Sequence, residues 1–342
     1  MRIAIICYAA KQYGVFNYVT CLASELRKLG IHVEVFRARF PMEKIGPFVN
    51  MIKSSLMSPY LKNFDIVHSN EAAGALIMHD NLIETCHHVI DSKSGSYLLF
   101  NGLQHFAYRR AKLIIVPSYF TRKRLLEYGY HPSHIRVIHL GVDTNLFKPD
   151  SSLRKKIRSS LNLEDKFVII NVGQLIERKN QAHLIEAIST LDEECRKKIA
   201  IILVGSGPEK NRIQVLARKN GINLLNFEYV SKRLLAGLYN AADVYVHVST
   251  LEGFGLTILE AMACGLPVIC YRTADFERVV NGAGFIIDQG NLMTLKEKVE
   301  YLLHYDKMRR KLATLARERS KLFDWRTTAL RHVEVYKEVL NL

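Results

Sequence analysis

The sequence predicts an α/β protein made of two doubly wound parallel sheets, and three observations carry that prediction. Short apolar runs rich in β-branched residues alternate with amphipathic helical stretches along the chain, the pattern of parallel strands covered by helices on both faces. The alternation breaks at the turn-rich HLGVDTNLFKP of His139 to Pro149 and then restarts. A length of 342 residues also suits two such domains better than one.

Taken in order, Ile3 to Ile6 reads as a buried strand, Tyr18 to Leu29 as a helix stopped by Gly30, and His32 to Phe36 as the next strand. Further strands follow at Ile66 to His68 and Leu113 to Pro117. Beyond the break, strands are expected at Phe167 to Val172, Ala200 to Val204 and Val244 to Val248, each leading through a Gly-containing turn into a helical pattern. The first domain is placed at residues 1–148 and the second at 151–322. Ligands of such sheets bind beyond the carboxyl ends of the strands, so the three turns of the second domain are where chemistry is expected.

Composition narrows the partners without choosing one. Lysine and arginine total 48 against 33 acidic residues, a formal charge of +15, and both halves of the chain are basic. Such a field favours anions: phosphorylated small molecules, nucleic acid or an acidic membrane surface. No nucleic-acid module or aromatic stacking pattern accompanies the charge, so nucleic acid is not expected as a partner. Cys7, Cys21, Cys86, Cys195, Cys264 and Cys270 form no CxxC pair, and neither disulfides nor zinc are expected from their spacing. No run approaches the roughly 18 apolar residues of a membrane span, and Ile3 to Ile6 is too short for a secretory signal core, so a cytoplasmic protein is predicted.

The most informative segment is STLEGFGLTILEAMACGLPVIC, Ser249 to Cys270. It places Glu252, a tight Gly253-Phe254-Gly255 turn and a helix from about Leu256. Glycines let a ligand approach the backbone, and the free amides of Gly255, Leu256 and Thr257 at a helix start form a site for an anion such as a diphosphate. Glu252 before the helix and Glu260 inside it are suited to two hydroxyl-bearing groups of one extended ligand, because carboxylates accept hydrogen bonds. A solvated loop charge and a helix-face charge is the alternative reading of the same two residues.

EGFGLTILE, with seven residues between Glu252 and Glu260, resembles the E-x7-E signature of retaining glycosyltransferases of the GT-B fold, and AMACGLPVI is similar to glycosyltransferase family 4. NVGQLIERKNQAHLIEAI, LVGSGPEKNRI, YVSKRLLAGLYNAADVYVHVS, PSYFTRKRLLEYG and RVIHLGVDTNLFKP occur in the family's order and spacing. FDWRTTALRHVEVYKEVL resembles the family's last helix. The resemblance implies a GT-B architecture: two Rossmann-like domains facing a central cleft, with residues 326–342 crossing back to complete the N-terminal acceptor domain and residues 151–322 binding the donor.

What the family implies is carried over position by position. Glu260 would bind the nucleotide ribose and Glu252 the hydroxyls of the transferred sugar, with Gly253 and Phe254 shaping the turn and Gly255, Leu256 and Thr257 holding the diphosphate. Lys179 stands where the family has its diphosphate lysine, preceded by Arg178. The arginine usual after the loop glycine is Gln174 here, which cannot neutralise phosphate, so either Arg178 shares that role or the diphosphate is held less tightly. The base would lie near Gly205, Tyr229 and Val230, with uracil, guanine and adenine all open. Gly14 is the candidate for the family's glycine after the first strand, which approaches the donor phosphate or the acceptor, and Tyr13 replaces a frequent second glycine before it. His87 falls at the family's active-site histidine, with His88 beside it as the other candidate.

The implied reaction moves a hexose from a nucleotide sugar to an acceptor hydroxyl with retention of anomeric configuration. Catalysis would rest on positioning and on neutralising the departing diphosphate, with Lys179, Glu252 and His87 nearest the chemistry. No Asp-x-Asp pair occurs in the chain, and neither an essential metal nor another cofactor is expected. The acceptor would be a glycan, a glycolipid or a lipid-linked saccharide. PMEKIGPFVNMIKSSLMSPYLKNF and the clusters Arg109, Arg110, Lys112 and Arg122, Lys123, Arg124 are compatible with contact to an anionic membrane, or with a packed helix whose lysines are solvated. A nucleotide-sugar epimerase, a phosphorylase and a non-enzymatic anion-binding protein are the rival readings of such a fold. A dehydrogenase is disfavoured, because Ile3 to Ile6 leads into CYAAKQYG and not into G-x-G-x-x-G.

Overall fold

A computed structural model of the chain describes residues 1–7, 14–37, 56–70, 76–87 and 95–342. They divide into two compact units, Met1–Gly141 with Trp325–Leu342, and Val142–Asp324. Tyr13, His88 and most of the apolar-basic stretch after Pro41 lie outside the described residues.

The first unit holds β1 (Arg2–Cys7), β2 (His32–Arg37), β3 (Ile66–Asn70), β4 (Leu82–Thr85), β5 (Leu113–Val116) and β6 (Ile135–Val137). They form one parallel sheet in the order β2-β1-β3-β4-β5-β6. Its helices are α1 (Gly14–Lys28), α2 (Ser58–Leu61), α3 (Gly95–Arg110) and α4 (Tyr119–Glu127). Tyr18, Val19, Leu22, Ala23 and Leu26 form the buried stripe of α1 at helical spacing. Its described residues run from Gly14, a turn before the apolar periodicity begins, and it stops before Gly30, whose φ of +79° suits glycine.

The second unit holds β7 (Phe167–Val172), β8 (Ile199–Val204), β9 (Asn223–Phe227), β10 (Val244–His247), β11 (Val268–Tyr271) and β12 (Gly284–Ile287), paired in parallel in the order β12-β11-β10-β7-β8-β9. Every residue of β7 and β8 is buried, as expected for central strands covered on both faces. Around them run α5 (Ser151–Ser160), α6 (Gln181–Ser189), α7 (Glu193–Lys198), α8 (Lys210–Lys219), α9 (Lys232–Ala241), α10 (Leu256–Ala263), α11 (Phe276–Val280), α12 (Leu292–His304) and α13 (Asp306–Ser320). The strand order reverses between β7 and β10, so the loops leaving these two strands flank the topological switch point, where doubly wound sheets bind ligands.

The last helix, α14 (Trp325–Leu340), belongs to the first unit and packs against α1. Its buried residues Trp325, Thr328, Ala329, His332, Val335, Tyr336 and Val339 line one face. The Tyr18 hydroxyl lies 2.7 Å from His332 Nε2, and His68 Nδ1 lies 2.8 Å from the Tyr336 hydroxyl. Burial pushes the His332 imidazole down to about 4 and lowers that of His68 as well, so both serve as neutral links. Each such bond contributes about 0.5–1.5 kcal/mol net, and more is lost when one partner is removed. The second unit begins at Val142, so the FKP segment read from sequence as part of the connection lies inside it. There the Val142 amide donates to the Phe323 carbonyl at 2.8 Å, and Arg317 donates to the carbonyls of Phe147 and Ala263 at 3.1 and 2.8 Å.

Candidate active site

The two loops at the switch point are stitched together. After β7, Glu177–Lys179 forms a single 3-10 turn, and Asn180, in the left-handed region at φ +55°, turns the chain into α6. The Arg178 carbonyl accepts from the Thr250 amide at 2.9 Å and from the Ser249 hydroxyl at 3.1 Å. The exposed Arg178 guanidinium donates to the Leu251 carbonyl at 3.1 Å. Lys179 is thereby carried to the loop after β10.

At that loop Lys179 Nζ forms an ion pair with Glu252 Oε1, and His247 Nε2 reaches the same oxygen at 2.9 Å. An ionised carboxylate only accepts, so His247 donates from Nε2 and turns Nδ1 to the Tyr245 hydroxyl, 2.9 Å away. That hydroxyl lies 2.8 Å from Thr257 Oγ1. Tyr245 and His247 share one face of β10 by its two-residue period, while Val244 and Val246 enter the core on the other. Burial alone would raise the Glu252 carboxyl, but the Lys179 charge and the His247 hydrogen bond hold it well below the usual carboxylate range. Burial lowers the His247 imidazole, and the Glu252 carboxylate only partly offsets this. Both donors converge on Oε1, which leaves Oε2 as the carboxylate oxygen without a donor among the described residues.

Gly253 and Phe254 complete the turn, with the Phe254 ring buried and 6.2 Å from that of Phe323. Gly255 stands at the N-cap of α10 with φ +90°, and a Cβ there would lie 2.6 Å from the Phe276 ring. Both the dihedral and the space demand glycine. No side chain caps α10, so the amides of Gly255, Leu256 and Thr257 and the positive end of the helix dipole are offered to an anion.

Glu260 sits one turn into α10 and is 7% exposed, which argues against a solvated helix-face charge. Its Oε2 accepts from the Tyr239 hydroxyl at 3.1 Å. Burial pushes this carboxyl up to about 7, against the Tyr239 hydrogen bond and the charge of Lys232. The two glutamates of the motif are therefore in opposite electrostatic states, one charge-paired and one near the point of titration.

The loop after β8 packs backbone to backbone on the loop after β7: a Cβ on Gly205 would lie 2.0 Å from the Gly173 carbonyl oxygen, and one on Gly207 2.3 Å from that of Leu175. Both positions require glycine. Val230 is half-buried in the turn between β9 and α9, next to an exposed Tyr229 whose hydroxyl accepts from Ser206 at 2.8 Å. Gln174 is half-buried, and its carbonyl accepts from Gln181 Nε2 at 2.9 Å. Gln181 is 1% exposed, and its Oε1 has no partner among the described residues.

In the first unit, Gly14, the first described residue of α1, is exposed, and a Cβ on it would meet nothing within 4 Å among the described residues. His87 follows β4, is buried, places Nε2 3.0 Å from Asn70 Oδ1, and meets the Tyr18 ring edge-on at 4.8 Å. Sequence reasoning missed Tyr239, Tyr245, His247 and Gln181. The available signal was a tyrosine and a histidine alternating on one face of an otherwise valine strand that leads into the motif.

Residues 154–319 match the family model described as glycosyl transferases group 1, and residues 13–146 match that of glycosyltransferase family 4. The O-antigen chain mannosyltransferase B of Escherichia coli is 26% identical over 322 residues, covering 92% of this chain and 82% of that protein. Sucrose-phosphate synthase from Thermosynechococcus elongatus shares the fold with a TM-score of 0.86 at 22% identity, over 99% of both chains. HepE from Anabaena, solved in complex with UDP-glucose, gives a TM-score of 0.82 at 22% identity, over 99% of this chain and 100% of that one.

Proposed function

The chain belongs to glycosyltransferase family 4, and we propose that it moves a hexose from a nucleoside diphosphate sugar to an acceptor hydroxyl with retention of anomeric configuration. One observation carries the reading: the Lys179–Glu252 ion pair stands beside the uncapped amino end of α10, at the switch point of the second sheet.

A diphosphate fits there because it offers negative charge to the amides of Gly255, Leu256 and Thr257 and to Lys179, with Arg178 next in line. Glu252 Oε2 accepts a hydroxyl of the sugar while its other oxygen stays with Lys179 and His247. Glu260 accepts a ribose hydroxyl, and the turn at Tyr229 and Val230 borders the base. UDP in solved relatives such as HepE makes a uridine donor the first candidate. As the glycosidic bond to the diphosphate breaks, charge grows on the leaving oxygen. Preorganised amides and a cation stabilise that charge more than they stabilise the intact donor. No enzyme nucleophile is needed: the acceptor hydroxyl attacks the face the diphosphate leaves.

From the first unit the reading takes Gly14, after β1, as the glycine that approaches the donor phosphate or the acceptor, and His87, after β4, as the histidine near the reacting sugar. The acceptor is a glycan, glycolipid or lipid-linked saccharide. Among the described residues no helix is long and apolar enough to cross a membrane. The basic surface of the first unit, where Arg110 lies over the exposed Phe106 ring at 5.5 Å, suits peripheral contact with anionic lipid.

The test is a thermal-shift screen against UDP, GDP, ADP and CMP sugars, repeated with Glu260→Ala, followed by NMR of the product anomer. Stabilisation by one nucleotide class that the variant loses, with the donor's anomeric configuration kept in the product, is the expected result. Interconversion of free nucleotide sugars without an acceptor would favour an epimerase, and no stabilisation by any of them would overturn the donor site.

A further inference from the structure

A second cluster of ligating side chains lies in the second unit, away from the loops that follow β7 and β10. Cys195 on α7 is buried in the core of this unit, with its Sγ 3.5 Å from Nε2 of His304, the exposed last residue of α12. A carboxylate oxygen of Glu300 completes the group, the three ligand atoms lying within 4.8 Å of one another. Glu300 and His304 are four residues apart on one helix and so share a face.

We propose that Cys195, Glu300 and His304 bind a zinc-class divalent cation, with solvent water completing a four-coordinate shell. Bond lengths of about 2.3 Å to sulfur and 2.0–2.1 Å to nitrogen at a tetrahedral centre set the sulfur–nitrogen edge at about 3.6 Å. The observed 3.5 Å matches that edge. The ligand set, one thiolate, one imidazole and one carboxylate, is the mixture that zinc accepts and that magnesium or calcium would not select. Position adds to the chemistry: His304 ends α12, where the carbonyl end of the helix carries partial negative charge and favours a cation.

Binding would release the thiol proton to solvent, leave His304 neutral with Nδ1–H free to donate to water, and join α7 to α12. Helix α7 runs into the amino end of β8, so the site lies on the rim of the sheet opposite the donor loops. Its role is to brace the second unit, not to take part in transfer. The separation of 109 positions between Cys195 and His304 explains why motif spacing gave no sign of it.

The test is titration of tag-free, metal-stripped protein with Co²⁺, followed optically. A tetrahedral visible spectrum with a thiolate-to-cobalt band, saturating at one equivalent and bleached by Zn²⁺, is expected. His304→Ala, at an exposed position that leaves the fold intact, should weaken binding about 100-fold or more, and Glu300→Gln should weaken it as well. Cys195→Ser should abolish the thiolate band, and Zn²⁺ should raise the melting temperature of the wild type but not of His304→Ala. The absence of the band, its persistence in Cys195→Ser, or binding unchanged in His304→Ala would each overturn the site. Because Cys195 is buried, His304→Ala and Glu300→Gln decide the matter if the serine variant fails to fold.

Discussion

Lys179 and Glu252, 73 residues apart in the chain, form an ion pair whose side chains are only 15% and 10% exposed, with His247 donating to the same carboxylate oxygen. A charge pair taken this far out of water is costly unless its hydrogen bonds are met. Here the pair sits beside the uncapped amides that open α10, at the switch point of the second sheet.

Replacing Lys179 removes a cation from the leaving diphosphate and strands a buried carboxylate. Lys179→Ala should lower turnover by about 10²- to 10³-fold, by analogy with the loss of one oxyanion donor. It should also destabilise the fold by about 3–5 kcal/mol. Turnover measured beside urea unfolding separates the two effects, and near-full activity in the variant would remove Lys179 from the mechanism.

Glu260 gives a pH dependence of defined sign. Its folded-state value of about 7 lies above the ordinary 4.5, so between these values the folded protein holds a proton that the unfolded chain has released. The contribution of Glu260 to stability therefore falls as pH rises from about 4.5 to 7, then levels off. Donor binding should run the other way, because the ribose hydroxyls need the ionised acceptor: affinity for the nucleotide sugar should rise from pH 6 to pH 8 in the wild type. Glu260→Gln should flatten both trends, and calorimetric titration across that range shows whether it does.

Gly255→Ala tests the turn. Its positive φ and the 2.6 Å approach of a Cβ to Phe276 predict a stability loss of about 1–3 kcal/mol together with weakened donor binding. Gly102→Ala on α3, where a Cβ meets nothing within 4 Å, should do neither. Equal melting temperatures for the two variants would contradict the strain argument.

Transfer should continue in excess chelator, because Lys179 and helix amides take the place of the cation that an Asp-x-Asp pair would hold, and the sequence has no such pair. If the Cys195 site is loaded, chelator should lower the melting temperature without changing the initial rate. A rate abolished by chelator and restored by a divalent ion would refute metal-independent transfer.

Several elements were legible because their signal is local. The run Phe167 to Val172 is β7 at both ends, and Val244 to Val248 overlaps all of β10, since continuous β-branched runs bounded by turns specify buried strands. Gly255 announced the start of α10, which it caps with a positive φ. Other strands were silent for reasons visible in their composition. LIET at β4 carries a buried acid, NLLNF at β9 is only half-buried, and GFII at β12 opens on a glycine and is only partly buried.

By itself the sequence determined the α/β class, the glycine turn, and the spacing of Glu252 and Glu260, all written within windows of ten or so residues. Tertiary structure alone decided that Lys179 meets Glu252, that His247 and Tyr245 stand behind it, that Glu260 is buried enough to titrate near neutrality, and that Cys195 faces His304. The reason is physical. Hydrophobic periodicity fixes which face of an element is buried, whereas the convergence of two loops depends on β10 pairing beside β7, and no local stretch of chain encodes that neighbour.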